Sequence, residues 1–106
     1  MDNKGNFLVV NKFVMTIQDL ETILRREKIF DEFGLNRLAV FGSFARGEAY
    51  QDIDILLEQN MNYKIREQLK IKLQEILHTK VDLVPEKFAD PIIVFRARKD
   101  LKYVTK

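Results

Sequence analysis

Cysteine is absent from this sequence of 106 residues. Its absence excludes disulfides, thiolate metal sites and thiol nucleophiles, and it suits a reducing compartment such as the cytosol. Charge of one sign is not in excess either, because 18 basic residues stand against 16 acidic ones and the formal net charge is +2. Since non-specific nucleic-acid binding needs a concentrated basic face, this balance argues against direct binding of nucleic acid.

Long apolar runs are missing as well. The run at residues 7–10, Phe-Leu-Val-Val, is far shorter than the roughly 20 apolar residues of a membrane-spanning helix, and it lacks the cleavage site of a secretory signal. We therefore expect a cytoplasmic protein with no membrane partner. The length favours one domain over residues 1–106, in which residues 1–15 form an arm that is either a short strand or a docking segment.

Hydrophobic periodicity predicts an alternation of helices and strands. We predict that Thr16 is the N-cap of the first helix and that Asp19 is the acid of its capping box. Apolar residues at helical spacing extend this predicted helix to Phe33, just before Gly34. Short apolar runs predict strands, whereas longer amphipathic segments predict helices. The order of elements indicates a small α/β domain with helices packed on a central sheet. The predicted strands are residues 38–41, 53–57, 81–84 and 103–104, and the later helices are residues 61–78 and 90–100.

A glycine and a serine follow the first predicted strand. Gly42 lets the backbone approach a ligand closely, and the next residues, if helical, present free N–H groups to an anion. The hydroxyl of Ser43 and the guanidinium of Arg46 suit phosphate oxygens, although Arg46 is equally able to pair with Glu48. The segment is not a P-loop, because Glu48 and Ala49 replace the Lys-[Ser/Thr] that a P-loop requires.

Three aspartates form the second candidate group. Asp52 and Asp54 lie two residues apart on a predicted strand, so their side chains share one face while Ile53 points into the core. Such a pair suits Mg²⁺, but alone it is also typical of a solvated strand edge. Asp82 is a lone acid in the third predicted strand, where a metal ion, a proton or an exposed position must account for it. If the two strands are neighbours, the three carboxylates suit a two-metal phosphoryl transfer in which Asp82 helps to deprotonate the acceptor.

Other charged residues are more readily explained by structure than by chemistry. His78 closes a predicted helix, where the helix dipole favours it, so a structural role is expected. Lys64, Arg66, Lys70 and Lys72 form either a solvated helix face or, less readily, a surface for a partner.

The chain resembles the minimal nucleotidyltransferase (MNT) group of the DNA polymerase β superfamily. The resemblance is carried by Gly42-Ser43, by the Asp-Ile-Asp at residues 52–54 and by Asp82, and it covers about residues 17–104. It implies the small mixed sheet with packed helices of that superfamily. It also implies that the pair Gly42-Ser43 holds the triphosphate of ATP. Arg46 is a further nucleotide-binding candidate because of its positive charge.

The same resemblance implies the roles of the acids. Asp52 and Asp54 are the expected ligands of Mg²⁺, and Asp82 is expected to complete the metal site and to act in activating the nucleophile, so all three are candidate catalytic residues. The chain departs from the pattern of the group in its loop, which has only eight residues between Ser43 and Asp52, with Gln51 where a serine is common.

A function follows from the resemblance. Little of the chain remains once a catalytic core is assigned, so we expect a partner to supply the acceptor in a hetero-oligomer. MNT proteins resemble in this the antitoxins that attach AMP from ATP to a tyrosine hydroxyl of a HEPN-domain ribonuclease toxin, where added bulk and negative charge would block RNA binding. Two alternatives stay open: an antitoxin that neutralises by binding alone, which the short loop favours, and a stand-alone enzyme that nucleotidylates a small molecule.

Overall fold

A computed structural model of the chain describes residues 15–106. The predicted N-terminal arm, residues 1–15, therefore lies outside the described residues except for Met15. Among the described residues the longest helix has 15 residues, and none combines the length and apolarity that crossing a bilayer requires.

The centre of the fold is a four-stranded mixed sheet with the order β3-β2-β1-β4. Strand β1 is antiparallel to both of its neighbours, whereas β2 and β3 are parallel, which requires a crossover connection between them. All four predicted strands are confirmed, each longer by one residue at one or both ends. They are β1 (Arg37–Phe41), β2 (Asp52–Leu57), β3 (Lys80–Pro85) and β4 (Lys102–Thr105).

Five α-helices and one short 3₁₀ helix, Glu86–Phe88, are seen in the described residues. The predicted capping box is confirmed, because the Asp19 N–H donates to Thr16 Oγ1 at 3.1 Å and the Thr16 N–H donates to Asp19 Oδ2 at 2.9 Å. The predicted start at Asp90 is confirmed as well, since its side chain accepts from the Ile92 N–H. The helices are α1 (Ile17–Arg26), α2 (Ile29–Glu32), α3 (Gly42–Ala45), α4 (Tyr63–Leu77) and α5 (Pro91–Lys99).

The first predicted helix is not continuous, and this expectation was wrong. The helix breaks between α1 and α2 at Lys28, which has a left-handed backbone with φ of 59°. In an unbroken helix, Glu27 and Lys28 would lie three and four residues after the buried Leu24 and would face the core. The break leaves both charged residues exposed and brings Ile29 into the core instead.

Helix α4 is the crossover that makes β2 and β3 parallel. Asn62 caps its start by accepting from the Ile65 N–H at 2.9 Å, and His78 caps its end with a left-handed backbone, φ 52°. The expected structural place of His78 at the helix end is therefore observed. Helices α1 and α4 cover one face of the sheet, with Leu20, Leu24, Leu69 and Leu73 fully buried in a single cluster with the inward residues of β1 and β2.

Among the elements of residues 15–106, we assign one helix to the second face of the sheet. Ala39 and Leu56, which are paired across β1 and β2, point away from the main cluster and are nevertheless buried. Helix α5 runs between the two edge strands β3 and β4, and its one buried residue, Ala97, also lies outside the main cluster. We therefore place α5 over the middle of this second face. Asp52 and Asp54 lie on the same face, nearer the start of β2, so α5 leaves that end of the face open.

The left-handed position at Lys28 gives a stability prediction. A side chain in the left-handed region costs on the order of 1 kcal/mol, which glycine avoids. We expect Lys28→Gly to raise the free energy of unfolding by about 0.5–1 kcal/mol in urea denaturation. The matched control is Lys72→Gly within α4, which should lower it by about 1 kcal/mol because glycine is a poor helix former. A loss of stability in both variants would contradict the explanation of the break.

Candidate active site

The turn after β1 is a short helix, as the anion-site prediction required. Helix α3 begins at Gly42, directly after the strand, and ends at Ala45, with Arg46 as its C-cap. Phe44 and Ala45 are buried, and the Phe44 ring meets the buried Tyr50 ring edge to face at 4.8 Å between centroids. This contact ties the α3 turn to the loop that leads into β2.

Gly42 is needed for a reason that the sequence does not reveal. Its φ is +76°, and a Cβ at this position would overlap the Oδ2 atom of Asp54 and lie 3.3 Å from its Cγ. The antiparallel register brings the two together, because Phe41 is the partner of Asp54. We expected the glycine to let a ligand approach the backbone; in the structure a carboxylate of the chain itself occupies that space.

The three aspartates are on neighbouring strands and on one face. Asp52 and Asp54 flank the fully buried Ile53, and Asp54 is the direct partner of Asp82 in the parallel pair of β2 and β3. The condition on which the proposed cluster depended, that the two strands are adjacent, is therefore met. Asp82 itself is exposed, so contact with solvent explains how the otherwise apolar strand tolerates this charged residue.

Asp54 has the most perturbed environment of the three. Its carboxyl pKa is raised from 3.8 to about 6, mainly by burial and in part by the negative charges of Asp82 and Asp52, while the positive charge of Arg46 opposes them. Burial without compensation penalises the ionised carboxylate, and neighbouring charges of the same sign add to this cost. Ionised Asp54 is therefore held at a cost that a bound cation would relieve.

A pocket of about 530 Å³ lies between the α3 turn and the start of β2. It brings together three of the predicted site residues, because Ser43, Asp52 and Asp54 all contribute to its wall. Gly42, Arg46 and Asp82 do not. The wall is completed by three loop residues that were not among the predicted site residues: Ala49, Tyr50 and Gln51.

The loop residues carried only an indirect signal. They directly precede Asp52, and Tyr50 is an aromatic residue in an otherwise polar loop, which is typical of a residue that packs inward. In the structure Tyr50 is 5% exposed, whereas Gln51 is exposed at the pocket wall.

Arg46 is engaged by two carboxylates. Its Nε donates to Glu48 Oε2 at 3.1 Å, which is the pairing left open by the sequence, and its Nη1 donates to Asp100 Oδ2 at 2.7 Å. Both partners raise the pKa of the Arg46 guanidinium, with the hydrogen bond to Glu48 contributing most. A role for Arg46 on phosphate stays a prediction, and it would require the side chain to leave these partners.

The donor set suits a divalent cation in its chemistry. Mg²⁺ prefers hard oxygen ligands, and three carboxylates on one sheet face supply them beside a residue whose ionised form is penalised. Within residues 15–106, however, no group of three or more His, Cys, Asp and Glu side chains has an arrangement that could hold a metal ion. A metal site shared by Asp52, Asp54 and Asp82 therefore stays a prediction.

The close approach of Gly42 and Asp54 is testable with two alanine substitutions. Gly42 and Gly47 both have φ of +76°, but a Cβ at Gly47 would meet nothing within 4 Å. Both variants should lose about 1 kcal/mol to backbone strain, and Gly42→Ala about 1–3 kcal/mol more, because its methyl group must displace the Asp54 carboxylate. Urea denaturation measures the difference. Equal losses would show that the carboxylate does not need the space.

The environment of Asp54 gives a prediction with a defined pH dependence. The folded chain has the higher pKa, so the stability penalty is absent below about pH 4, grows as the carboxyl ionises, and is complete above about pH 6. With a chelator present, Asp54→Asn should therefore stabilise the chain at pH 7.5 by on the order of 1–2 kcal/mol, after discounting for partial exposure. Thermal unfolding at several pH values measures this gain.

A measurement at low pH and a control variant test whether the gain comes from the ionised Asp54 carboxylate. At about pH 2.5, below both pKa values, the Asp54→Asn substitution should have almost no effect, because the carboxyl is then protonated in both states. Asp82→Asn removes only a neighbouring charge and not a buried carboxylate, so its gain at pH 7.5 should be smaller. A destabilised Asp54→Asn chain at pH 7.5 would contradict the cost assigned to the ionised carboxylate.

The sequence is similar to those of proteins of known description. A candidate protein adenylyltransferase of Methanocaldococcus jannaschii is 36% identical over 98 residues, which cover 84% of this chain and 98% of the relative. Protein adenylyltransferase MntA of Thermococcus cleftensis is 28% identical over 97 residues, covering 86% of this chain and 98% of the relative.

A solved structure has the same fold at low sequence identity. A chain from the complex of a tri-AMPylated HEPN toxin of Shewanella oneidensis with MNT antitoxin superposes with a TM-score of 0.59 at 23% identity, covering 84% of this chain and 71% of that chain. The family model described as polymerase beta, nucleotidyltransferase matches residues 18–105. The family expected from Gly42-Ser43 and the three aspartates is thereby confirmed: the chain belongs to the polymerase β nucleotidyltransferase family.

Proposed function

We propose that this protein is an antitoxin that transfers AMP from ATP to a tyrosine hydroxyl of a HEPN-domain ribonuclease. One observation carries the proposal. In a chain of the nucleotidyltransferase family, Asp52 and Asp54 share the wall of a 530 Å³ pocket with Ser43, and Asp82 is in register with Asp54 on the same face. Carboxylates and a hydroxyl-bearing helical turn at one pocket suit a nucleoside triphosphate bound with Mg²⁺.

In this proposal the α3 turn and the three aspartates have different roles. The α3 turn with Gly42 and Ser43 binds the triphosphate, and Asp52, Asp54 and Asp82 would hold Mg²⁺. When bound, two such ions supply positive charge that stabilises both the entering and the leaving oxygen of a phosphoryl displacement.

The reaction is a displacement at the α-phosphorus of ATP by the acceptor hydroxyl. The acceptor oxygen forms a bond to the α-phosphorus, the bond from that phosphorus to the bridging oxygen breaks, and pyrophosphate leaves. The proton of the acceptor hydroxyl passes to a carboxylate. Asp82 is assigned this role because it is exposed on the face of the sheet and next to Asp54, where an acceptor outside the pocket can reach it.

The relatives support adenylyl transfer to a protein and a HEPN partner. Two relatives are described as protein adenylyltransferases, one of them at 36% identity over 98% of its length. The fold is shared with a complex in which a HEPN toxin carries AMP groups. A protein acceptor, ATP as the donor and a location in the cytoplasm, where such a toxin acts, follow for this chain only as parts of the proposal.

A second function is favoured by Arg46. It forms ion pairs with Glu48 and Asp100 and is not part of the pocket wall. If the cation remains there in the complex, catalysis is weakened, and the protein neutralises the toxin by binding alone. The two functions differ in whether the aspartates are needed.

The mass of the partner decides between the two functions. We expect the intact mass of a co-expressed HEPN protein to increase in whole AMP units after incubation with this protein, ATP and Mg²⁺. The increase should disappear with the Asp52→Asn, Asp54→Asn variant, because removing both carboxylates removes the expected ligands of the metal. Intact-mass spectrometry measures the transfer and counts the units.

The same variant separates the alternative. If the double variant still binds the HEPN protein and still protects cells from it, while no mass is gained with the wild-type chain, neutralisation proceeds by binding. A mass gain that persists in the double variant would instead remove Asp52 and Asp54 from the catalytic site.

A further inference from the structure

Helix α5 is unusual in where its apolar residues point. Its residues Ile92 and Phe95 are 61% and 64% exposed, while the only buried residue of the helix is Ala97. At 100° per residue, Ile92, Phe95, Arg96 and Lys99 fall on one side of the helix, opposite Ala97. We call these four residues the α5 stripe. An apolar pair on the solvent side of a helix has no role in the core of this chain.

The charges of the α5 stripe are positive and uncompensated. Within residues 15–106, neither Arg96 nor Lys99 forms an ion pair, and the Lys99 ammonium lies 4.7 Å from the centroid of the Phe95 ring. Arg98, on the flank of the helix, differs because it is bound to Glu86 and approaches Glu58. The stripe therefore combines an apolar centre with two free cations, and the surface that complements it is apolar with carboxylates at its margin.

The helix that carries the α5 stripe is connected to the pocket through Asp100 and Arg46. We placed α5 over the sheet face on which Asp52 and Asp54 lie, and Asp100, the C-cap of α5, accepts from Arg46 Nη1 at 2.7 Å. Arg46 in turn directly follows the α3 turn whose Ser43 forms part of the pocket wall. A macromolecule that binds to the stripe is thus held on the helix that contacts the residue after the α3 turn.

We propose that the α5 stripe is the docking surface for the protein that receives AMP, and that it recognises an acidic, apolar face on that protein. The identity of this partner as the HEPN protein rests on the function proposed above. The stripe acts as the centre of the interface: Phe95 and Ile92 enter an apolar depression, while Arg96 and Lys99 meet carboxylates at its margin. Buried aromatic and arginine side chains are the residues that most often dominate the energy of such interfaces.

Charge disfavours the other occupants. A symmetric pair formed by the stripes of two copies would bring four cations together, and neither stripe contains a carboxylate to compensate them. Residues 1–14 contain two lysines and one aspartate, so they do not supply the missing negative charge either. A nucleic acid would supply it, but two free cations are few for phosphate binding, which draws its affinity from many such contacts.

Two substitutions in the stripe test its role. Ile92→Ser with Phe95→Ser should raise the Kd for the HEPN protein at least about tenfold, because truncating central apolar residues of an interface typically costs this much or more. The transition temperature of the free chain should stay within about 2 °C of the wild-type value, since both side chains are mostly exposed. In AMP transfer, KM for the partner should rise while kcat is retained.

Charge reversal provides the second variant and its matched control. Arg96→Glu with Lys99→Glu should lower the association rate constant about tenfold at low salt, because it removes the attraction to an acidic face. Lys64→Glu with Lys70→Glu on α4 makes the same change of net charge on the helix layer over the opposite face of the sheet. That control should leave binding unchanged, and a loss of binding in it would move the partner to the α4 lysines.

The remaining outcomes separate the docking surface from the proposed function. If the Asp52→Asn, Asp54→Asn chain binds the HEPN protein, the stripe variants do not, and no chain transfers AMP, the docking surface is upheld and adenylyl transfer is not. If transfer occurs and the stripe variants bind like the wild type, the surface is overturned while the function stands.

Four results would contradict the docking surface outright. One is an absence of any binding between the wild-type chain and the HEPN protein. Another is a large fall in the transition temperature of the free Ile92→Ser, Phe95→Ser chain, which would mean that its own residues cover the stripe. A third is a change in the sedimentation coefficient of the free chain on substitution, which would identify a second copy as the occupant. The fourth is stripe-dependent binding of a fluorescent RNA in place of the protein.

Discussion

The arrangement of the site depends on the contact between Gly42 and the Asp54 carboxylate. The register of β1 against β2 brings this acid over the first residue of the α3 turn, and only a residue without a side chain leaves room for it. The turn that presents Ser43 and the strand that presents the acids are thereby fixed to each other at van der Waals distance. A shift of the register by one residue would turn Asp54 toward the core and Ile53 toward the pocket, so the apolar burial of Ile53 also protects the geometry of the site.

The two faces of the sheet contribute differently to the protein: one to stability and the other to the candidate site. One face is covered by α1 and α4 and contains most of the buried apolar residues, so it supplies most of the stability. The other face carries the aspartates, and among residues 15–106 we place only α5 over it, through the small residue Ala97. This division allows the second face to hold an acid with a raised pKa, because the cost is borne by the packing on the first.

Much of the fold could be predicted from the sequence because its signals are local. The capping box at Thr16 and Asp19, the helix start at Asp90 and the four apolar strands each depend on residues a few positions apart. The break at Lys28 could not be predicted in this way, since it depends on which face of α1 meets the sheet. Within the site, the shared face of Asp52 and Asp54 was predictable, because it follows from the alternation of side chains along one strand. The contact of Gly42 with Asp54 was not, because it depends on the register of two strands. The contact of Arg46 with Asp100 was not either, because it joins residues 54 positions apart.

The parallel pairing of β2 and β3 has a consequence for the order in which the protein assembles. Asp52 and Asp54 belong to a local antiparallel pair, but Asp82 reaches them only after the whole of α4 has been made and has packed across the sheet. During synthesis on the ribosome, a chain that has emerged only as far as α4 already contains the Gly-Ser turn and two acids, yet it lacks the third. The three carboxylates therefore come together only in chains in which the α4 crossover has formed. Partly folded chains that lack the crossover do not have the complete acidic cluster.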